Sequence, residues 1–240
     1  MTKTRVRLVG RETVAYRTTK FLFEKPEGFT YRAGQFADYT LIDPPESDSE
    51  GDTRGFTLAS APYELQLAFT TRMRDTAFKR VMAELPLGTE VVLDAPYGSF
   101  TLPQDSERPV VFLAGGVGIT PVRSIALQAE HDETAHQIVV FYSCKNPADA
   151  AFLEELSALA GAAKGFDLIA TMTQPASAGQ PWSGETGHVD AAMITRYVND
   201  ITAPVFFVSG PATMVRALRD TLTGAGVSED DIHTEEFTGY

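Results

Sequence analysis

Cysteine and histidine, the side chains that most often hold metal ions and iron–sulfur clusters, are scarce in this sequence. A single cysteine, Cys144, stands among 240 residues. One cysteine excludes an internal disulfide framework and a four-thiolate iron–sulfur cluster held by this chain alone. The four histidines are scattered without a metal-ligand spacing, so we expect no metal site.

Long apolar runs and an excess of basic residues are also missing. No run is long enough to span a bilayer, and residues 1–16 lack the apolar core of a signal peptide. We therefore expect a cytoplasmic protein without a membrane span. The formal net charge of −12 argues against nonspecific binding of nucleic acids, which needs Lys and Arg to replace the counterions on phosphate.

Up to about Leu102, the sequence consists of short segments in which apolar and polar residues alternate, separated by Pro, Gly and acidic loops. Many short strands with turns between them are typical of a barrel or a sandwich. One helix, from about Thr76 to Leu85, interrupts the strands. The polar segment 44–53 is expected to project into solvent.

Beyond residues 103–109 the chain alternates apolar strands, such as VVFLA at 110–114, with amphipathic helices. This alternation indicates βαβ units on a parallel sheet. Residues 108–240 have 7 Lys and Arg against 16 Asp and Glu, whereas residues 1–107 have 13 against 16. We therefore predict two domains, residues 1–104 and residues 105–240.

A glycine-rich loop, Gly115-Gly116-Val117-Gly118, follows the VVFLA strand. It departs from the dinucleotide-binding pattern G-x-G-x-x-G because Pro121 stands where the third glycine belongs. We predict that Thr120 caps a helix whose first residue is Pro121. The free N–H groups and the dipole of such a helix start suit a pyrophosphate. A tight strand-to-helix turn without a ligand is the alternative.

The segment Arg54-Gly55-Phe56-Thr57-Leu58-Ala59-Ser60 places a cation, an aromatic ring and a hydroxyl in the order that a flat, phosphate-bearing ligand requires. Along a strand, Arg54 and Phe56 share one face while Thr57 takes the other. A barrel strand with a surface arginine explains the segment equally well when the segment is taken alone.

Six short motifs occur in an order that resembles the ferredoxin–NADP reductase family of two-domain flavin oxidoreductases. They are Gly34-Gln35-Phe36, the segment Arg54–Ser60, Gly98-Ser99-Phe100, the glycine-rich loop, Ser209-Gly210-Pro211 and Glu235-Glu236-Phe237. The resemblance covers essentially the whole chain. It implies a β + α/β fold: a six-stranded antiparallel β-barrel that binds FAD, followed by a Rossmann-like parallel α/β domain that binds a nicotinamide nucleotide.

The resemblance also assigns FAD contacts in the first domain. Arg54 would bind the flavin pyrophosphate through paired hydrogen bonds, Phe56 would pack on the isoalloxazine, and Thr57 would offer its hydroxyl to flavin N5. The family usually has Tyr and Ser at these last two positions, and Phe and Thr retain the stacking face and the donor. Thr76 would meet the FAD phosphates. Further expected cofactor contacts are Gly55, Ser60 and Gly98.

In the second domain, the resemblance places the pyrophosphate of NAD(P)H on the loop that contains Gly115, Gly116, Gly118, Thr120 and Pro121. The strand end formed by Ser209, Gly210 and Pro211 would lie beside the nicotinamide, where many family members have Cys in place of this serine. No acidic residue directly follows the strand QIVVFYS, whereas Ser143 and Lys145 could meet a 2′-phosphate. We therefore expect NADPH in preference to NADH, and the choice stays open.

The C-terminal segment would place Phe237 over the flavin face, with Tyr240 as the rival and an ordinary buried strand residue as the alternative. Hydride transfer requires no side-chain acid or base. The candidate catalytic residues, Thr57, Ser209 and Glu235, are therefore expected to position the reacting groups.

The predicted function is transfer of a hydride from NAD(P)H to FAD, and of electrons onward to a separate acceptor: a ferredoxin, a flavodoxin or an oxygenase component. One alternative is a free-flavin reductase. Another is an electron-transfer or regulatory subunit of a larger complex that uses the fold to bind flavin and nucleotide. We expect a monomer.

Overall fold

Antiparallel strands make up the first part of the chain. The computed structural model describes residues 2–178 and 181–237. The first sheet contains β1 (Thr2–Ala15), β2 (Thr18–Glu24), β3 (Phe36–Leu41), β4 (Thr53–Thr57), β5 (Gln66–Arg72) and β6 (Glu90–Tyr97). Its order is β4-β3-β6-β1-β2-β5, and its pairings are antiparallel. Helix α1 (Ala77–Glu84) lies between β5 and β6, where the sequence predicts a helix.

The first sheet curls around an aromatic core without closing by strand pairing. In β3, Ala37, Tyr39 and Leu41 are buried while the residues between them are partly exposed, which is the period of two of a half-buried strand. The edge strands β4 and β5 are not paired, but the ring of Phe56 stacks on that of Phe69 at 4.2 Å between centroids. The predicted six antiparallel strands are therefore confirmed, in a barrel-like sheet that stays open between β4 and β5.

Parallel strands and helices make up the second part. The second sheet contains β7 (Val110–Gly115), β8 (Ile138–Cys144), β9 (Phe166–Met172), β10 (Glu185–Thr186), β11 (Val205–Pro211) and β12 (Ile232–Phe237). The helices are α2 (Ile119–His131), α3 (Leu153–Ala162), α4 (Ala191–Tyr197) and α5 (Ala212–Gly224). The pairings are parallel, so the predicted Rossmann-like sheet is confirmed.

The order of the second sheet, β10-β9-β8-β7-β11-β12, reverses direction at β7. The chain runs from β7 outward through β8 to one edge and then returns through β11 to the other. Ligands of open α/β sheets bind at the carboxyl ends of the strands at such a switch point. The glycine-rich loop follows β7 and therefore lies at that position.

The segment between β6 and β7, residues 98–109, joins the two sheets. The predicted domain boundary between residues 104 and 105 falls within it and stays a prediction. Among the described residues, no helix combines the length and the apolar character that a bilayer crossing requires.

Candidate functional site

A cleft of about 620 Å³ opens where the edge of the first sheet meets the second sheet. Strands β4 and β5, the start of α1, the turn before α2 and the end of β12 all contribute to it. Its lining residues are Phe36, Glu50, Arg54, Gly55, Phe56, Thr57, Thr70, Thr71, Arg72, Arg74, Thr76, Phe78, Lys79, Val117, Glu235, Glu236 and Phe237. The structure thus brings together seven predicted site residues from both sheets: Arg54, Gly55, Phe56, Thr57, Thr76, Glu235 and Phe237.

Strand β5 and the body of α1 also line this cleft, which was not expected from the sequence. Thr70, Thr71 and Arg72 reach it from β5, and Phe78 and Lys79 reach it from α1. One sequence signal was available, because several cations flank Thr76 within a few positions. The strand order, which leaves the edge of β5 facing that of β4, was not visible in the sequence.

The side chain of Arg54 is hydrogen-bonded by the loop that precedes β4. Its guanidinium donates to the carboxylate of Asp48 at 2.9 Å and lies 3.1 Å from that of Glu50. It also donates to the backbone carbonyls of Glu50, Gly51 and Thr53. Segment 44–53 therefore folds back towards Arg54 but stays at the surface, as expected, because none of its residues is buried. The opposite charges of Arg54 and of the acidic residues in this loop hold the loop against β4.

The start of α1 is capped by the same loop. Thr76 occupies the N-cap position, but its side chain makes no capping hydrogen bond. The backbone N–H of Ala77 instead donates to Asp48 at 3.3 Å. One carboxylate thus contacts both groups that the sequence analysis assigned to the FAD phosphates, the Arg54 guanidinium and the helix start. Asp75 is exposed and pairs with Arg80.

Two buried polar atoms in the cleft lack a hydrogen-bond partner among the described residues. They are the hydroxyl oxygen of Thr70 and one carboxylate oxygen of Glu235. Unpaired buried polar groups are rare and costly in folded proteins. Both atoms line the same cleft, so a polar ligand bound there would satisfy them.

Two titratable groups in the cleft have pKa values displaced towards neutrality. Burial raises the pKa of Glu235 to about 7. Burial, followed by the positive charges of Arg74 and Arg54, lowers the pKa of Lys79 to about 8. Its ammonium group donates to the carbonyl of Arg72 at 2.8 Å. The cleft therefore has a cationic wall formed by α1 and β5, and it faces acidic residues of β12.

The glycine-rich loop forms a helical turn. Gly116–Gly118 is a short 3-10 helix that leads directly into α2. The prediction that Thr120 caps a helix beginning at Pro121 was therefore wrong, because the chain is already helical at Ile119. Thr120 is buried, and its hydroxyl donates back to the carbonyl of Val117 at 3.0 Å.

Close packing explains two glycines of the loop. A Cβ atom at Gly118 would lie 2.6 Å from the carbonyl carbon of Ser209 at the end of β11, and one at Gly115 would collide with the side chain of Met214 on α5. Gly210, at a φ of +150°, packs against Gly115 in turn. The hydroxyl of the fully buried Ser209 donates to the carbonyl of Gly118 at 2.7 Å. Ser209 thus fixes the turn to β11.

Other predicted residues lie outside the cleft lining. Ser60 is buried, and its hydroxyl accepts the N–H of Ala68 and lies 3.0 Å from the hydroxyl of Tyr31. The carbonyl of Gly98 accepts a hydrogen bond from the Gln35 side chain. Both residues therefore support the fold in the first part of the chain.

The nucleotide-choice residues lie at the end of β8. Ser143 is paired in register with Gly115, so it sits beside the glycine-rich loop at the carboxyl edge of the sheet. Lys145 is exposed directly after the strand. Within residues 2–178 and 181–237, no group of three or more His, Cys, Asp or Glu side chains is placed to hold a metal ion.

Strand β12 brings the C-terminal motif alongside β11. Ser209 is in register with Glu235, and Pro211 is in register with Phe237. Phe237 is half-buried and lines the cleft, as a residue that covers a bound ring would. Its rival Tyr240 lies outside the described residues.

Comparison with known protein families agrees with the second sheet. The family described as the oxidoreductase NAD-binding domain matches residues 112–220. The matched segment contains the glycine-rich loop, α2 and the strand end at Ser209–Pro211.

Curated relatives extend the likeness to nearly the whole chain. The reductase subunit of glycine betaine monooxygenase from Chromohalobacter salexigens is 28% identical over 95% of this chain. The reductase component of propane 2-monooxygenase from Mycolicibacterium smegmatis is 27% identical over 89% of it. This chain spans only 62% and 61% of the length of those two relatives. Ferredoxin–NADP reductase B from Sorangium cellulosum is 28% identical, with 96% of both chains covered.

Solved structures agree on the fold. A cytochrome P450 reductase from Amycolatopsis superposes with a TM-score of 0.82 at 21% identity, covering 99% of this chain and 71% of the other. A ferredoxin NADP⁺ reductase from Neisseria gonorrhoeae superposes with a TM-score of 0.81 at 20% identity, covering 98% of both chains. The antiparallel sheet followed by a parallel α/β sheet is thus an arrangement shared with these structures.

Proposed function

We propose that the chain is a flavoenzyme of the ferredoxin–NADP reductase type, to which its sequence relatives and its two-sheet fold are similar. It takes a hydride from NAD(P)H onto bound FAD and passes electrons to a separate acceptor. One observation carries this proposal: a single cleft joins an aromatic strand edge, a cationic helix start and the carboxyl edge of a nucleotide-binding sheet. A dinucleotide cofactor with a flat ring and a charged middle needs all three.

The described residues of the cleft fit FAD. The cations Arg74 and Lys79 and the start of α1 would hold the pyrophosphate. Arg54 and Arg72 would join them when their carboxylate partners, Asp48 and Asp149, release them. The unpartnered hydroxyl of Thr70 would bond to a polar edge of the cofactor. When bound, the flavin supplies the chemistry of hydride acceptance and electron release.

The aromatic residues fit the flat part of the cofactor. Phe56 is half-buried at the cleft, and its ring is held by stacking on Phe69. Such a ring offers an apolar surface with a fixed orientation. Thr57 is buried beside it at the end of β4, where its hydroxyl would position the reacting edge of the flavin. Phe237 would cover that edge from the side of β12.

Glu235 would hold a proton beside this site. Its buried carboxyl group has a pKa of about 7, so about half of the molecules carry that proton near neutral pH. In that form it donates a hydrogen bond without placing a negative charge next to the flavin. Its proposed task is to position the nicotinamide together with Ser209, which holds the neighbouring turn.

The glycine-rich loop and the end of β8 fit the nicotinamide nucleotide. Gly115, Gly116 and Gly118 let the turn approach closely, while Thr120 and Pro121 lie in the first turn of α2. Gly210 and Pro211 end the adjacent strand β11. Ser143 and Lys145 would contact a 2′-phosphate, so we propose NADPH as the preferred donor.

The electron acceptor is proposed to be a separate protein. The relatives named as reductase components of monooxygenases favour an oxygenase component, and the reductase named for ferredoxin favours a ferredoxin or flavodoxin. We further propose that the chain works as a monomer in the cytoplasm, where reduced nicotinamide nucleotides are available. A free-flavin reductase and a regulatory subunit remain the alternatives.

Steady-state assays of the purified chain test this function. We expect a yellow protein that contains FAD, reduces ferricyanide with NADPH faster than with NADH, and reduces an iron–sulfur carrier protein. Faster reduction of free flavin than of any carrier would favour the free-flavin reductase. A colourless protein that binds neither FAD nor nucleotide would overturn the proposal.

A further inference from the structure

We propose that Arg123 and Glu64 form an interdomain clamp that fixes the two walls of the cleft relative to each other. Both are positioning residues for hydride transfer, and neither lines the cleft. The inference rests on the proposed function for its catalytic consequence, while its structural part concerns the chain alone. The third member of the cluster, Glu155, neutralises the arginine without joining the two parts of the chain.

The side chain of Arg123 is 4% exposed and has a hydrogen-bond acceptor for each of its N–H groups. It donates to the two carboxylate oxygens of Glu64 at 3.0 and 3.3 Å, and to the carbonyl of Ala59 at 2.8 Å. It also donates to both oxygens of Glu155 at 2.7 Å. The guanidinium lies 5.0 Å from the ring centre of Phe152. Bidentate geometry on two sides holds the group in one orientation.

The clamp connects the two walls of the cleft by short stretches of chain. Ala59 and Glu64 belong to the connection between β4 and β5, which begins just after the cleft residue Thr57. Arg123 lies on α2, a few residues beyond the cleft residue Val117. A bond between these segments therefore restrains the β4 wall against the glycine-rich turn, across the junction between the two sheets.

Neighbouring positions of α2 make further contacts with the same connection. The hydroxyl of Ser124 donates to the carbonyl of Ser60 at 2.6 Å. The side chain of Gln128 accepts the N–H of Tyr63 at 3.0 Å. Ser60 does not line the cleft, but its backbone carbonyl contacts α2. Because they are directional, they fix the orientation of α2 as well as its distance.

Burial makes the clamp energetically important. Exposed ion pairs contribute little to stability, because water competes for both charges. A buried arginine that loses one carboxylate keeps its charge with fewer partners, which is costly and favours separation of the contacting surfaces. Loss of Glu64 would therefore loosen the junction. Loss of Glu155, which lies on α3 beside α2, would leave the bonds to Glu64 and Ala59 in place.

The test compares two isosteric variants, Glu64→Gln and Glu155→Gln, in the full chain. Without cofactor, hydrogen–deuterium exchange is measured on segments 59–64 and 119–131. We expect exchange in segment 119–131 to accelerate roughly tenfold or more in Glu64→Gln, the size of a lost charged hydrogen bond. Segment 59–64 should accelerate as well, but it also loses the local bond from the N–H of Ala61 to Glu64, so segment 119–131 decides the test. Little change is expected in Glu155→Gln. Equal acceleration in both variants, or wild-type exchange in Glu64→Gln, would overturn the clamp.

The loaded protein supplies a second measurement. In Glu64→Gln, the limiting rate of flavin reduction should fall roughly tenfold while the dissociation constant of the nucleotide changes less than about twofold. A residue with a merely structural role would lower the fraction of folded protein. It would not lower the reduction rate of the folded molecules while leaving their dissociation constant nearly unchanged. Glu155→Gln should keep the wild-type rate, and a slowed rate in that variant would contradict the assignment.

The test still decides if Glu64→Gln fails to fold or if the wild-type chain binds no FAD. Should Glu64→Gln fail to fold, Glu64→Asp keeps the charge and shortens the side chain, and it should show the same two effects to a smaller degree. Wild-type behaviour of that variant in both measurements would overturn the clamp. Should the wild-type chain bind no FAD, the proposed function fails, and the exchange comparison alone still decides whether the clamp exists.

Discussion

Individual side chains in the cleft respond to pH because burial and neighbouring charges displace their pKa values. Lys79 faces Arg54, Arg74 and the start of α1, a concentration of positive charge that an anionic ligand would relieve. Among the residues that the structure describes, none bonds to the buried carboxylate oxygen of Glu235. Ligand binding and protein stability should therefore depend on pH through these two residues.

The affinity for FAD should fall as the pH rises through the pKa of Lys79. That pKa is about 8 in the unloaded protein, so the ammonium charge that attracts the pyrophosphate is present below pH 8 and lost above it. A charged hydrogen bond contributes about 1.5–3 kcal/mol, which corresponds to roughly tenfold or more in affinity. Quenching of FAD fluorescence at several pH values measures this. Lys79→Met should flatten the dependence and Lys79→Arg should shift it upward; identical profiles in all three proteins would contradict the prediction.

Glu235 should make the unloaded protein less stable as the pH rises. Its folded-state pKa of about 7 exceeds the ordinary value of 4.5, so the native state binds its proton more tightly than the unfolded state does. The stability that this provides is complete below pH 4.5 and is lost as the pH rises through 7. Glu235→Gln should therefore gain up to about 3 kcal/mol relative to wild type at pH 8. Urea unfolding at pH 5 and pH 8 checks the prediction, which fails if both proteins change in parallel.

Phe237 is expected to cover the flavin and to oppose entry of the nicotinamide. Phe237→Ser should tighten nucleotide binding, raise turnover with NADH relative to NADPH, and speed oxidation of the reduced flavin by oxygen. Deletion of Thr238–Tyr240 is the control and should do much less. If the deletion reproduces these effects while Phe237→Ser only destabilises the protein, Tyr240 is the cover. Binding titrations and oxygen-consumption assays measure the difference.

At the level of elements, the strands and helices that have strong local signals were predictable. The apolar run VVFLA corresponds to β7, and the predicted helix from Thr76 to Leu85 corresponds to α1 with its two flanking caps. Apolar periodicity and caps are properties of neighbouring residues, so a sequence displays them directly. The start of α2 was misplaced because proline is tolerated throughout the first turn of a helix, which leaves its exact start ambiguous.

Long-range features of the site were not predictable in the same way. The contribution of β5 depends on strand order and register, and the return of segment 44–53 depends on a charge pair between Asp48 and Arg54. Neither is visible in local patterns. The burial of Ser60 at the junction, away from the cleft, likewise reflects docking of α2. The resemblance located the motifs along the chain, and the structure separates those that line the cleft from those that support the fold.

The glycine-rich turn should tolerate no side chain at Gly118. A Cβ atom there would collide with the backbone of Ser209 and Gly210, which cannot move without displacing β11. Gly118→Ala should therefore destabilise the protein by about 1–3 kcal/mol and weaken nucleotide binding. Gly161→Ala is the matched control, because it lies on α3 with no atom within 4 Å of its Cβ position. That variant should be neutral or stabilising by up to about 1 kcal/mol. Thermal unfolding compares them, and equal stability of the two variants would refute the packing argument.

For the whole molecule, the proposed function depends on the junction between two sheets. The first sheet supplies the aromatic edge and the cations, and the second supplies the glycine-rich turn and the C-terminal motif. Residues 1–107 carry 13 of the 20 Lys and Arg residues, so the first part of the chain is the less acidic one and the better suited to meet anionic phosphates. The walls lie far apart in sequence, and only the folded chain assembles the cleft.

The reaction proposed for this cleft is transfer of a hydride from nicotinamide to flavin. The most direct test is rapid mixing of the FAD-loaded chain with NADPH in the absence of oxygen, while the visible flavin absorption is followed. We expect the flavin absorption to bleach in a first-order phase whose rate saturates with nucleotide concentration. That rate should fall when the transferred hydrogen of the nicotinamide is replaced by deuterium. Retention of the full flavin absorption with both NADPH and NADH, in a protein that binds FAD stoichiometrically, would contradict the proposed reaction.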